Sequence, residues 1–356
     1  MNAITASPLQ TNELTAVAAG LLADIDAALA DVLSEERRRW RASDPSLEHA
    51  IAALEAFLDG GKRLRPAFAV LGYLGARRAT NDAEIIRLGV ALELLHAFAL
   101  IHDDVMDDSD TRRGRPSLHR QFSRPYGSDA AATHFGEGMA ILVGDLAHML
   151  AERTLCDSPA EVRTHWYAMQ VELTRGQALD LEAGRGGNRI GEEEALRIAR
   201  LKSGRYSVVR PLQLGALAAS CPALLDAYAA FGEPLGEAFQ LRDDLLGVFG
   251  DPGVTGKPVG DDLREGKPTF LLACTRRRVT GADRRLLDHV GRPDLDVHTT
   301  RRLQRLVEAC GARAEVEARI VELEARALDA LQAAPIAEDA RTALHALADA
   351  TVWRTT

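Results

Sequence analysis

Cysteine is scarce in this chain of 356 residues: four, at Cys156, Cys221, Cys274 and Cys310. Their wide spacing fits neither a metal-ligand pattern nor a CxxC motif, so they read as reduced thiols of a cytoplasmic protein. An excess of positive charge is also missing. The formal charge of −9 argues against a nucleic-acid partner, although local arginine clusters remain available for a smaller anion. No uninterrupted apolar run reaches the ~20 residues of a membrane span. The first residues mix Asp and Glu with Ala and Leu, and lack the basic and apolar segments of a signal peptide. Sustained alternation of apolar and polar residues, internal repeats and Pro/Gly/Ser linkers are all absent. What is present, 46% hydrophobic and 27% charged residues, suffices for a large core. These features predict an all-α chain forming a single domain over residues 1–356, with a loose tail over about 1–10.

Apolar residues recur every three or four positions over long stretches. Leu14, Val17, Leu21, Ile25, Leu29 and Val32 predict a packing helix from Asn12 to about Arg41. A second helix starts near Ser46 and stops at Gly60-Gly61, and a third opens around Pro66, which an early helical position tolerates. Ile85–Asp107 reads as a central helix, residues 109–128 as a polar loop, and Ala130–Leu155 as another long helix. Gly136, Gly138 and Gly144 in that helix leave room for a neighbour or a ligand. Further helices are expected over Val162–Glu182, Glu192–Lys202, Leu212–Ala219 and Leu224–Gly250, then from Phe270 and through Arg301–Val352.

The central helix ends in His102-Asp103-Asp104-Val105-Met106-Asp107-Asp108. Asp103 and Asp107, four residues apart, lie about 40° apart on one helical face. Stacked acids repel each other unless a cation joins them, and oxygen-only donors suit Mg²⁺, which also bridges to phosphates. Arg112, Arg113 and Arg115 follow, guanidinium forks that match phosphate. Alone, such a cluster is also what a solvated helix end looks like. A second one, Leu241-Arg242-Asp243-Asp244-Leu245-Leu246-Gly247, followed by Lys257 and by Asp261-Asp262-Leu263-Arg264-Glu265-Gly266-Lys267, makes solvation a poor explanation for both.

With Gly60-Gly61-Lys62-Arg63-Leu64-Arg65-Pro66, Gly176-Gln177, Lys202-Ser203-Gly204 and Phe239-Gln240 in order between about residues 50 and 275, the chain resembles the trans-isoprenyl diphosphate synthases, the polyprenyl synthetase family. The resemblance implies a bundle of long antiparallel helices around a central prenyl-chain cavity, a homodimer, and head-to-tail condensation of isopentenyl diphosphate with an allylic diphosphate of C5–C15. It further implies that Asp103 and Asp107 hold two Mg²⁺ and Asp243 a third, with Asp104 and Asp244 in support. Arg112, Lys202 and Lys257 would grip the allylic diphosphate, with Ser203, Gln240 and Lys267 nearby. Lys62, Arg65, His96 and Arg113 would hold isopentenyl diphosphate. Taken alone, Lys62 and Arg65 fit a basic turn, His96 a hydrogen-bonded core residue and Lys202 a solvated lysine. One departure stands out: Gly247 occupies the position where the family usually has a third Asp. Asp251, eight residues from Asp243, does not replace it by helical geometry.

Phe98 lies five residues before Asp103, and Ala99 four. A bulky aromatic followed by a small residue, with no two-residue insertion in the motif, resembles family members that stop at C20, so geranylgeranyl diphosphate is the expected product, with Phe98 as tunnel floor. Taken alone, Phe98 lies about 140° from Asp103 around the helix and fits ordinary core packing. Farnesyl (C15) or longer products are the alternative. A class I terpene cyclase would need an Asn/Ser/Glu metal triad in place of the second Asp pair. An HD phosphohydrolase built on His102-Asp103 would need further His and Asp ligands, and a non-catalytic synthase subunit would tend to lose its acidic motifs.

Overall fold

A computed structural model describes residues 8–76, 81–185, 190–250, 260–292 and 294–353, with side chains from residue 14 onward. The described residues are almost entirely helical. They fall into two compact units: the described residues within 1–164, 211–224 and 336–343 form the first, and those within 165–210, 225–335 and 344–356 the second.

In the first unit, α1 (Pro8–Ser43) buries Leu21, Ile25, Leu29 and Leu33, one per turn, against α2 (Glu48–Leu58), α3 (Leu64–Gly75) and α4 (Asp82–Met106). Burying a side chain of this size contributes roughly 1.5–3 kcal/mol. Gly89 of α4 admits the Ile25 knob: a Cβ there would lie 2.4 Å from Ile25 Cδ1. The α2–α3 turn is tight, with Gly60 at φ +73° and Arg63 at φ +52°. Pro66 sits third in α3, before its missing N–H matters.

The central helix α4 buries Ile85, Leu88, Leu92 and Leu95, among others. By length and composition alone this helix is apolar enough to cross a membrane, although Arg87, Glu93, His96 and His102 interrupt any continuous apolar run. Most of its apolar stretch is buried inside the fold, as in the core helix of a bundle.

The expected polar loop over 109–128 carries more structure than its Pro and Gly content suggests. Thr111–Arg112 pairs antiparallel with Arg115–Pro116 around Arg113 and Gly114, both at positive φ, the geometry of a type I′ hairpin turn. A short helix, α5 (Leu118–Ser123), follows. The next helix, α6 (Ala130–Thr154), is capped by Asp129, whose carboxylate accepts the Ala132 N–H at 2.8 Å, and it packs along α4. Two of its glycines serve close approach: a Cβ at Gly136 would meet the His119 carbonyl at 2.3 Å, and at Gly144 the His102 ring at 2.3 Å, whereas Gly138 faces open space.

α7 (Ala160–Arg185) leads into the second unit. There α8 (Glu192–Ile198) does not stop at Lys202 as periodicity predicts. It continues as a π-helical stretch, Ala199–Val209, before α9 (Arg210–Ala218). The wider coil brings this backbone against two neighbours at glycines. A Cβ at Gly176 would lie 2.4 Å from Lys202 N, and one at Gly204 2.9 Å from the backbone of Gly236 in α10 (Leu225–Phe249). Long π-helical stretches are rare and concentrate at functional sites. After α11 (Asp261–Glu265), α12 (Phe270–Arg278), α13 (Gly281–Leu286) and α14 (Val297–Ala309), α15 (Ala312–Ala333) packs along α10 with Val316, Ile320 and Leu323 buried. α16 (Glu338–Val352) closes the described chain.

Candidate active site

The last turn of α4 separates its carboxylates by direction. Asp104 faces inward and is fully buried, so its charge needs a charged partner. Arg112 supplies it from the hairpin: Nε donates to Asp104 Oδ1 at 2.9 Å and Nη2 reaches the same oxygen. Arg112 Nη2 also stands 3.8 Å from Asp103 Oδ2. Expected to hold substrate, Arg112 is in this structure an anchor of the motif as well. Asp103 and Asp107 remain partly exposed on the neighbouring face, and the Asp107 N–H donates to the Asp103 carbonyl at 2.8 Å. His102 turns aside to α6, with Nε2 3.1 Å from the Ile141 carbonyl. That orientation gives no support to an HD-type pair.

The same unit gathers the basic residues expected to bind the second diphosphate. Lys62 and Arg113 are exposed, while Arg65 and His96 are partly buried. His96 is enclosed by protein on most sides. Burial first, and then the positive charges of Arg65, Arg113, Arg112 and Arg63, hold its imidazole well below the usual range. At neutral pH it is therefore uncharged, with one N–H to donate. Burial and the neighbouring arginines also lower Arg113, against the pull of Glu93. Arg63 has a role that the sequence reading missed. Its Nε donates to Asp26 Oδ1 at 2.6 Å, and Nη1 to Glu93 Oε2 at 2.7 Å and to the Leu58 carbonyl at 3.0 Å. Gly61 makes space for it, since a Cβ there would sit 2.5 Å from Arg63 Nη1. Arg63 thus ties α1, α2 and α4 to the turn that presents Lys62 and Arg65.

In the second unit the π-helical stretch carries Lys202 and Ser203. Lys202 Nζ donates to Asp180 Oδ2 of α7 at 2.5 Å. Gln177 and Asp180 lie three residues apart on α7, one helical turn, so Asp180 belongs to this grouping. On α10, Asp244 is buried and Asp243 partly exposed, repeating the inward–outward arrangement of Asp104 and Asp103. Gln240 Nε2 donates to Asp244 Oδ1 at 2.8 Å. Burial nevertheless pushes the Asp244 carboxyl up to about 8, with the charges of Asp262 and Asp243 acting in the same direction and Lys267 against them. Lys267 Nζ lies 2.7 Å from Glu265 Oε2 and 3.5 Å from Asp262 Oδ1. Lys257 and Asp251 lie outside the described residues.

Phe98 projects from α4 toward α6. Its ring centroid is 4.6 Å from that of His102 and 4.9 Å from that of His148. Ala99 follows on α4, partly exposed. Among the described residues no three His, Cys, Asp or Glu side chains form a ready metal cage. The donor set that does occur, paired carboxylates at two helix ends, fits a hard cation that keeps waters and binds phosphates.

The sequence model of the Polyprenyl synthetase family matches residues 48–307. A geranylfarnesyl diphosphate synthase of Aeropyrum pernix is 33% identical over 85% of this chain and 93% of its own length. A (2E,6E)-farnesyl diphosphate synthase of Mycobacterium tuberculosis is 36% identical over 73% of this chain and 70% of its own. In structure, a geranylgeranyl pyrophosphate synthase of Corynebacterium glutamicum, complexed with isoprenyl diphosphate and magnesium, superposes with a TM-score of 0.84. It is 36% identical and covers 93% of this chain and 98% of its own. The chain belongs to the polyprenyl synthetase family, the trans-isoprenyl diphosphate synthases.

Proposed function

We propose that this protein is a Mg²⁺-dependent trans-prenyltransferase that joins isopentenyl diphosphate to allylic diphosphates and releases geranylgeranyl diphosphate and pyrophosphate. The observation that carries the reading is the repeated helix end. Asp103/Asp104 and Asp243/Asp244 each combine an inward aspartate, bonded by Arg112 or Gln240, with an outward one on the adjacent face. Asp103 and Asp107 would hold two ions and Asp243 a third, an assignment supported by the oxygen-only chemistry of the donors and by the magnesium-bound relative. Bound Mg²⁺ would supply charge to the diphosphate oxygens as the allylic C–O bond ionises.

The chain's own residues account for the remaining steps. The obstacle is charge separation, so the site must favour departing pyrophosphate over intact substrate. Lys202, Arg112 and Lys257 neutralise that developing charge, with Ser203, Gln240 and Lys267 nearby. Lys62, Arg65 and Arg113 hold isopentenyl diphosphate as cations, and neutral His96 donates one N–H. The C4 carbon of isopentenyl diphosphate then attacks the allylic cation. Proton loss, with departing pyrophosphate as acceptor, restores the double bond. Apolar helix faces keep water from the cation.

The relatives named above make products of C15, C20 and C25 classes, so chain length rests on this chain's own residues. Phe98, braced by two histidine rings, supports a floor, and Ala99 leaves the next position open. Farnesyl or longer products are the runner-up. We also propose one working domain, supported by a family match that runs through both compact units. A homodimer is supported by Phe135, Leu142 and Met149, seven residues apart and exposed along one line of α6. Four free cysteines support a cytoplasmic location. Incubating the chain with one allylic diphosphate and Mg²⁺, with and without isopentenyl diphosphate, tests the reaction class. A synthase makes an elongated diphosphate only with isopentenyl diphosphate, whereas a cyclase consumes the allylic substrate alone.

A further inference from the structure

The two acidic helix ends differ at one position. On α4, Asp103 is followed one turn later by Asp107; on α10, Asp243 is followed one turn later by Gly247. The space beside Gly247 is nevertheless filled by a carboxylate. A Cβ built on Gly247 would lie 1.8 Å from Asp262 Oδ2 and 2.3 Å from Asp262 Cγ, separations that no side chain tolerates. Asp262 comes from α11, entered through a left-handed Gly260 (φ +69°). It is buried, and its Oδ1 lies 3.5 Å from Lys267 Nζ. Gly247 shares a helical face with Asp243, as residues four apart do. The Asp262 carboxylate therefore lies on the face that carries Asp243.

We infer that Asp262 is a positioning residue of the second acidic motif: from another helix, its carboxylate takes the place that Asp107 holds in the first, and Gly247 admits it. The inference rests on the Mg²⁺-dependent reading above. Within it, Asp243 binds a cation directly, and Asp262 supplies acceptor oxygens to that cation's surroundings. Placing a further carboxylate on the face of Asp243 is unfavourable for a purely structural contact and favourable beside a bound cation. A structural alternative is that Asp262 serves only to hold Lys267, whose N–H donates to the Asp262 carbonyl at 3.0 Å.

Moving the carboxylate separates the two roles. Binding of Mn²⁺ to the intact chain in the presence of inorganic pyrophosphate is measured by electron paramagnetic resonance, with thermal unfolding as a fold control. Asp262→Asn, which keeps the shape, is expected to weaken Mn²⁺ binding about ten-fold, the lower range for losing a group that supports a metal ligand. Gly247→Ala is expected to weaken binding by pushing the carboxylate aside, with the helical circular-dichroism spectrum retained. The pair Gly247→Asp with Asp262→Ala returns the carboxylate to α10 and should bind several-fold more tightly than Asp262→Ala alone. Mn²⁺ affinity unchanged in Asp262→Asn, or a double variant no better than Asp262→Ala, overturns the inference while leaving the synthase reading intact. A parent chain that fails to bind Mn²⁺ with pyrophosphate overturns the metal reading and this inference together.

Discussion

Replacing Arg63 with alanine would test how the basic turn is held, and its size follows from burial. The Glu93 side chain is 5% exposed and Arg63 17%, whereas Asp26 is 50% exposed. Losing the contact to Asp26 removes a surface ion pair, worth about 0.2–1 kcal/mol. Losing the contact to Glu93 strands a buried carboxylate, a change that costs about 3–5 kcal/mol when nothing else responds. Arg113, whose charge already reaches Glu93, recovers part of the attraction and limits that cost. The expected loss for Arg63→Ala is therefore about 2–4 kcal/mol. Urea denaturation of both proteins measures it, and Glu93→Gln in the Arg63→Ala background should recover much of the loss. A deficit below about 0.5 kcal/mol, as for an ordinary surface substitution, would refute the clamp.

Asp103→Ala should lower kcat by orders of magnitude with the helical circular-dichroism spectrum unchanged, and near-parental turnover would remove Asp103 from the metal set. Lys62→Ala and Arg65→Ala should mainly raise KM for isopentenyl diphosphate, whereas Lys202→Ala should act on the allylic substrate; steady-state kinetics varying one substrate at a time separates them. All three shifting the same KM would mean the two diphosphate sites are misassigned. Phe98→Ala should lengthen the product beyond C20 and Ala99→Phe shorten it toward C15, by chromatography of the dephosphorylated products; an unchanged distribution in both excludes a floor at these positions.

The long helices were legible because their apolar periodicity reflects local packing. The helix expected from Asn12 to Arg41 runs from Pro8 to Ser43, and the central one from Asp82 to Met106. The acidic helix ends were legible for the same reason: a helix turns spacing in sequence into a shared face. Contacts between distant segments were not. Nothing near Arg63 in sequence indicates that Asp26 and Glu93 receive it. Nor does local sequence show that Lys202 rides a π-helical stretch and meets Asp180, because Gly176 and Gly204 reveal their purpose only against the backbones they touch. Gly247 reads as a lost carboxylate in one dimension, whereas in three the space holds Asp262. The short helix Leu118–Ser123 hides among Pro and Gly residues that signal loop.

Mass analysis of the products formed from isopentenyl diphosphate and Mg²⁺ with each of the C5, C10 and C15 allylic primers tests the central claim most directly. The account predicts elongation of all three primers by five-carbon steps, converging on a C20 diphosphate. Accumulation at C15 or beyond C20 would contradict the chain-length reading, and no elongation of any primer would contradict the proposed reaction itself.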